Sequence, residues 1–444
     1  MNMALPRGTG VATYGRNLCT AIRSYGYTLH LVCGENLKYR RSPELREAEF
    51  FNTLSHPTAY ILRRARMKLA ARALIGLPIH DVPETGKVVR PAGDTYVKGV
   101  DFVWNVRALY AIAPYYFTLF RRFLSVPNPG GIDVMHWTYP LPIRMEGAKN
   151  VYTVHDLAPL RLPYVTLDHK PFMFDVVKLI ARDADLIATV SEASRTEIIN
   201  FFDVESDRVV NTYQCVDLPR ELLDMRDEKV QGEIASTFNL KPKGYFFYYG
   251  AIEPKKNIMR LIEAYFASDV KVPLIIGGQL SWLPPEDLRM LKDMGLYDGN
   301  ESMTNSGPRE GSKEVRFLNH LPFRQLVMLI RNAKAVTFPS VYEGFGLPAI
   351  EAMACGTPVV TSNFGALKEV CGEAALFVDP YDTGSIAAGL DTIATDEALC
   401  KKLAEAGPQR AATFSAKRFA DLSEEKIYEP LLAGKHCALK RGTC

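Results

Sequence analysis

The sequence predicts an α/β protein built from two doubly wound, Rossmann-like domains in tandem, facing each other across a cleft. Three observations lead there. Apolar runs of strand length alternate with amphipathic helical patterns along most of the chain. The alternation comes in two series, parted by the polar, charged segment Leu218–Lys243. At 444 residues, the chain also exceeds what one ordinary core accommodates. The expected domains are 1–218 and 219–444.

The first series opens with GTGVATYGRNLCTAIRSYG, Gly8 to Gly26, where glycines lead into a helix carrying Val11, Tyr14, Leu18 and Ile22 on one face. The strand TLHLVC, Thr28 to Cys33, follows. A central strand normally precedes such a glycine turn, yet only seven residues stand before Gly8. That strand is therefore expected to be very short (Asn2–Leu5) or absent, through truncation or a mis-set start codon. Its loss would open a sheet designed to be covered on both faces.

Residues 35–130 read as an irregular insertion. Within it, YILRRARMKLAARALI (Tyr60–Ile75) holds five basic residues and no acidic one, with Leu62, Ala65, Leu69 and Ala73 on one helical face. YYFTLFRRFL (Tyr115–Leu124) mixes aromatics with an arginine pair. One reading is a surface helix whose Lys and Arg stems lie over apolar neighbours; the other is a face docked on anionic lipid. Strands return with IDVMHW (Ile132–Trp137), NVYTVHDLAPL (Asn150–Leu160) and LIATV (Leu186–Val190), the last running through Ser191 as N-cap into a helix. VVNTYQCVD (Val209–Asp217) closes the series.

The second series begins with GYFFYYGAIEPKKNIMRLIEAY, Gly244 to Tyr265, a strand, loop and helix. PLIIGG, VRFLNHL, AVTFPS, PVVTS and ALFVDP supply further strands, and Trp282–Gly311 is a polar excursion. A net charge of +3 gives no whole-molecule argument for nucleic acid. Eight cysteines without a CxxC pair fit reduced thiols rather than disulfides or a zinc site. The longest apolar run, Ala108–Phe120, contains Pro114 and falls short of the ~20 residues that span a bilayer. The expected location is cytoplasmic, with peripheral contact on the inner face of the cell membrane as an option.

Chemistry concentrates in PSVYEGFGLPAIEAMACGTPVV, Pro339 to Val360. Glu343 stands in a glycine-rich loop after a strand, and Glu351 is expected in the first turn of a helix Pro348–Ala354. Gly344 and Gly346 are expected to allow backbone conformations closed to other residues and to let main-chain N–H groups approach a ligand closely. One carboxylate can grip the vicinal hydroxyls of a ribose and the other a second polyol. Between them a diphosphate needs a cation and helix N-terminal N–H groups, which Lys255, Lys256 and the helix start at Gly365 and Ala366 provide. Ribose, diphosphate and sugar together make a nucleotide-sugar.

EGFGLPAIEAMACGTPVV resembles the E-x7-E signature of the family-four retaining glycosyltransferases, which have the GT-B fold. GTGVATYGRNL, YTVHDLAPL, ATVSEASR, YYGAIEPKKN, VRFLNHL and SNFGALKEVCGEAALFVDP resemble the corresponding family blocks, in the family's order. The resemblance spans nearly all of the chain outside residues 35–130 and 282–311. It implies Glu343 beside the reacting sugar carbon, Glu351 on the ribose, and backbone of Phe345, Gly346 and Leu347 on sugar hydroxyls and phosphate. It implies Lys256 on the leaving diphosphate, Gly8 and Gly10 approaching from the opposite domain, and His155 over the sugar near its 6-hydroxyl. Transfer would retain anomeric configuration without a metal or other cofactor. The donor would be a nucleotide-sugar, GDP-mannose being favoured, and the acceptor a saccharide or a lipid-linked one. The C-terminal helix near Ala416–Leu432 would cross back to the first domain. One position departs: many members carry arginine directly after the glycine of the strand-loop block, where this chain has Ala251, so Lys255 supplies charge without a guanidinium's bidentate geometry.

Other readings attach to the same residues. Glu343 could be a solvated loop carboxylate, Glu351 a partner of the helix dipole, and His155 a satisfied buried histidine. His136 and His320 read as structural or acceptor-side. A GT-B scaffold or epimerase would share every block. A dinucleotide-dependent oxidoreductase would use Gly8, Gly10 and Glu35, but Thr13 stands where its third glycine belongs.

Overall fold

The computed structural model describes residues 10–55, 63–89, 99–298, 313–319 and 321–433. In the second series FFYY, LIIG, AVTF and VVTS show no polar alternation, and every residue of these four strands is buried. Strands buried on both faces belong inside a parallel sheet with helices above and below. They form one, in the order Val315–Leu318, Leu274–Gly277, Phe246–Tyr249, Ala335–Phe338, Val359–Ser362, Leu376–Val378. All neighbours run parallel. Strand order reverses beside Phe246–Tyr249, so the loops leaving it and Ala335–Phe338 flank the crevice where such sheets bind ligands.

The first half carries a four-stranded parallel sheet, ordered Val134–Trp137, Lys149–Thr153, Leu186–Thr189, Val209–Asn211. A separate three-stranded sheet joins His30–Cys33 in parallel to Phe102–Val106, with Ile79–Asp81 antiparallel at its far edge. A short parallel pair links Leu124–Val126 to Ile143–Met145. Thus residues 35–130 hold ordered elements that the sequence pattern did not reveal, including the helix Leu109–Phe120, which continues through Pro114. The arginine pair after that helix is engaged: Arg121 bonds Asp175, and Arg122 Nε donates to Tyr116 Oη at 2.9 Å. In the helix Arg63–Arg72, Ala70 and the later Ala73 are buried, whereas the side chains of Arg63, Arg64 and Arg66 lie outside the described residues. No helix among the described residues is long and apolar enough to cross a membrane.

After the helix Glu397–Ala412 the chain returns to the first half, as expected. The helix Ala416–Ser423 lies against the first helix, Gly10–Ser24, with Phe419 edge-on to Tyr14 at 5.6 Å between ring centres. Tyr25 Oη donates to Asp421 at 2.7 Å and Tyr27 Oη to Glu424 at 2.6 Å. A π-helical turn, Glu424–Tyr428, then places the Tyr428 hydroxyl 2.8 Å from His136 Nδ1. The other His136 nitrogen meets Thr153 at 2.8 Å, so this histidine is structural. Burial pushes its imidazole down to about 3, keeping it neutral. His320 lies outside the described residues.

Phe419 is the apolar centre of this return, 2% exposed. Phe419→Ala should cost about 3–5 kcal/mol, read as a lower urea midpoint for the first helix by tyrosine fluorescence.

Candidate functional site

Two loops are stapled at the crevice. The turn Pro254–Lys256 ends on Asn257, whose left-handed backbone (φ 62°) starts the helix Ile258–Ala267. The buried Asn257 amide donates to Pro339 O at 2.9 Å and Pro380 O at 2.7 Å, and Val341 N donates to Lys255 O at 2.9 Å. These bonds fix the lysine turn beside the glutamate loop. Lys256 Nζ lies 2.6 Å from Glu343 Oε1 and 5.2 Å over the Phe338 ring. Burial pulls the Lys255 ammonium down, but Asp156, Glu343, Glu253 and Asp168 outweigh it and hold the charge firmly on. Two of those carboxylates, Asp156 and Asp168, come from the first half of the chain.

Glu351 corrects one expectation. Its helix runs Leu347–Ala354, which puts Glu351 in the second turn rather than the first. Its partner is a side chain, not the helix dipole: Tyr249 Oη donates to Glu351 Oε2 at 2.8 Å and lies 2.9 Å from Pro348 O. Burial raises the carboxyl from 4.5 to about 7, against the pull of the Tyr249 bond. Sequence reasoning passed over Tyr249, although strand alternation places it with Phe247 on one face, their rings stacked at 5.5 Å.

The glycines divide by cause. Gly346 has φ 101°, and a Cβ there would fall 2.5 Å from Leu367 Cδ2. Gly344 has no positive φ; its need is steric, because a Cβ would stand 2.5 Å from the carbonyl oxygen of His155, across the cleft. Ser194 Oγ completes that contact, 3.1 Å from His155 O and 3.4 Å from Gly344 O. His155 Nε2 meets Thr138 O at 3.0 Å, and its ring stands edge-on to Tyr14 at 4.9 Å. Burial lowers its pKa, so the ring is neutral with Nε2 as donor and Nδ1 unprotonated.

Glu343, Gly365 and Ala366 line one cavity of about 220 Å³ between the halves, with Ser194, Tyr342 and Tyr381. Gly365 has φ 60° and open space where a Cβ would be. A Cβ added at Gly10, on the other side, would stand 3.5 Å from Leu347 Cδ1, in ordinary van der Waals contact. Phe345 turns its ring into the core, edge-on to Phe414 at 5.2 Å, leaving only backbone for a ligand. Gly8 lies outside the described residues. Glu369, a residue the sequence did not single out, bridges the cleft through backbone donors: its oxygens accept from Glu192 N at 2.8 Å and Ala193 N at 2.9 Å. The arrangement can neutralise a diphosphate, hold a polyol at each end, and exclude water between two closely fitted loops.

Residues 231–410 match the model of glycosyl transferases group 1, and residues 80–220 that of glycosyltransferase family 4. The O-antigen chain mannosyltransferase B of Escherichia coli is 34% identical over 283 residues, covering 62% of this chain and 68% of that protein. The serotype-specific mannosyltransferase WbdA of Escherichia coli is 30% identical over 296 residues, 65% of this chain but 34% of that protein. The chain thus spans about a third of the second relative. Among solved structures, sucrose-phosphate synthase from Thermosynechococcus elongatus superimposes with a TM-score of 0.61 at 18% identity, covering 96% of this chain and 94% of that one. Anabaena HepE in complex with UDP and glucose gives 0.52 at 19% identity, over 64% of this chain and 72% of that one. These likenesses set aside the dinucleotide-dependent oxidoreductase.

Gly344→Ala should lower transfer about 100-fold, since its methyl displaces the reacting loops by roughly an ångström; steady-state kinetics beside an unchanged circular dichroism spectrum checks this. If Glu351 binds hydroxyls as a carboxylate, the donor KM should fall as pH rises through about 7. Tyr249→Phe removes a bond that favours the ionised form and should move that midpoint upward. Because the folded-state value is raised, stability should decline from pH 4.5 to about 7, a slope that Glu351→Gln removes in melts against pH.

Proposed function

The chain belongs to the family-four glycosyltransferases, and on that premise we propose that it transfers mannose from GDP-mannose, with retention, to a saccharide or lipid-linked acceptor in polysaccharide synthesis. The mannosyltransferases among its relatives support the sugar. The observation that carries the mechanism is the Lys256–Glu343 pair at 2.6 Å, set on two loops at the strand-order reversal.

In this reading the diphosphate competes for the Lys256 ammonium and loosens Glu343 toward the sugar. Backbone N–H groups at Gly365 and Ala366 meet the phosphates, and Lys255 adds charge where Ala251 offers none. Glu351 grips the ribose, and backbone at Phe345, Gly346 and Leu347 meets the sugar and its phosphate. The bond from the anomeric carbon to the leaving phosphate breaks while the acceptor oxygen bonds the same face. The acceptor proton passes to the departing phosphate. Glu343 stabilises the oxocarbenium charge between those events, and neutral His155 orients the 6-hydroxyl. Lysine and oriented backbone then supply the leaving-group stabilisation without a metal. The expected location is the cytoplasm.

A panel of GDP- and UDP-sugars, assayed in EDTA, tests this. GDP-mannose should turn over, and Glu343→Ala should reduce kcat by about 10²–10³. Nucleotide binding without turnover of any donor, with acceptor saccharides present, would instead favour a binding scaffold. Lys256→Ala should weaken nucleoside diphosphate more than nucleoside monophosphate in calorimetry.

A further inference from the structure

The cavity that holds Glu343 ends in aromatic rings that the proposed chemistry leaves unused. Phe364 stands just before the helix Gly365–Cys371, and Tyr381 lies between the strand Leu376–Val378 and the helix Thr383–Thr395. The strands that lead to them, Val359–Ser362 and Leu376–Val378, are parallel neighbours at one edge of the sheet, so both loops leave the same end of it. Both residues line the cavity, and both are exposed, 39% and 51%, which places them at its mouth. Their rings lie 24° from parallel with centres 6.4 Å apart. A third ring comes from the other half of the molecule, Tyr164 in the turn Pro163–Val165, more exposed still. Burial, and after it the Tyr164 hydroxyl, raise the Tyr381 phenol above its ordinary value.

This apolar surface is fixed rather than loose. Pro380 O accepts from the Asn257 amide at 2.7 Å, and Tyr381 N donates to Asp379 Oδ1 at 2.9 Å. An exposed ring on a pinned backbone loses little freedom when a ligand covers it. Behind the rings the wall is polar. Tyr342 Oη donates to one oxygen of Glu197 and accepts from Leu157 N at 3.3 Å. Arg161, half exposed, holds its Nε 3.5 Å from the other Glu197 oxygen. Ser340 is buried in the same wall, and its hydroxyl has no hydrogen-bond partner among the described residues. A ligand hydroxyl would relieve the cost of leaving it unpaired.

These groups define the ligand's chemistry. A pyranose presents apolar C–H faces and a girdle of hydroxyls. The faces suit aromatic rings, and the hydroxyls suit a carboxylate and a guanidinium held in place. An acyl chain would leave the Arg161–Glu197 pair and the Ser340 hydroxyl unanswered. A nucleobase would stack as well, but Glu351, assigned above to the ribose, is not among the residues that line this cavity. The nucleoside end of the donor is thus directed elsewhere. At about 220 Å³ the cavity is also smaller than the roughly 300–1,000 Å³ of sites for drug-sized ligands. It has room for the reacting sugar, and a second ring belongs at the mouth.

We propose that Tyr164, Phe364 and Tyr381 form the platform on which the terminal sugar ring of a saccharide acceptor lies, with Glu197 and Arg161 on its hydroxyls. The inference rests on glycosyl transfer at Glu343, and it commits the mouth to carbohydrate rather than to a lipid tail.

Saturation-transfer NMR on the full chain, with and without GDP, tests this in the absence of turnover. The probes are methyl glycosides and disaccharides of mannose, glucose, galactose and N-acetylglucosamine. At least one disaccharide should bind, with saturation strongest on its ring C–H protons. Tyr381→Ala should weaken that binding about tenfold. Tyr164→Ala should act in the same direction, whereas Tyr381→Phe, which keeps the ring, should bind as the wild type does. Octyl mannoside should bind no better than methyl mannoside; a strong octyl preference would make the mouth a lipid site and overturn the proposal. So would the absence of binding by every saccharide, or equal binding by wild type and Tyr381→Ala. A parallel loss of GDP affinity in Tyr381→Ala, read by calorimetry, would assign the rings to the donor and overturn it too. Failure of mannosyl transfer itself would show separately, as no turnover of GDP-mannose beside intact saccharide binding.

Discussion

Everything at the cleft hangs on one backbone approach, the Gly344 loop pressed to the carbonyl of His155. No side chain fits between them, so the two halves meet main chain to main chain, with the Ser194 hydroxyl shared by both. That contact brings Glu343 to the face of the first domain and sets Lys255 among carboxylates from both. Glu369 repeats the theme at the far side, tying the helix that begins at Gly365 to the start of the helix Glu192–Phe202. The helix that begins at Gly365 is therefore mechanically connected to the first half of the molecule.

Charge at this junction is arranged to be exchanged. The Lys256–Glu343 pair is largely shielded, with 14% and 10% of the side chains exposed, and shielded pairs bear desolvation costs that a better partner can relieve. In the proposed reaction a diphosphate would be such a partner, carrying more charge to the same ammonium. Glu351 sits deeper in a different environment, governed by burial and Tyr249, and so answers to pH.

The second domain was readable because its strands are continuous apolar runs, several of its helices start at glycine or proline, and its charged motifs stand at strand ends. FFYY, AVTF and VVTS each became a buried strand where the pattern put them. Residues 35–130 were not readable: Ile79–Asp81 is a three-residue edge strand with a charged end, too short for periodicity to register. Within the site, spacing revealed the two glutamates but not what surrounds them. Tyr249, Ser194 and Glu369 act through contacts 102, 150 and 177 residues away in sequence, beyond the reach of local pattern. Gly344 was expected to serve backbone freedom and close approach to a ligand; it has no positive φ, and the approach it permits is to the His155 carbonyl, a partner that leaves no trace in neighbouring residues.

The returning C-terminal helix also governs how the chain is made. Tyr25 finds its partner Asp421 only after 396 further residues have been synthesised. At ribosomal speeds of about 5–20 residues per second, that interval is roughly 20–80 s. Throughout it, the face of the first helix around Tyr14 and Leu18 lacks its final cover and is open to wrong partners. Completion of the first domain therefore waits on synthesis of the second, and the two cannot mature independently of one another.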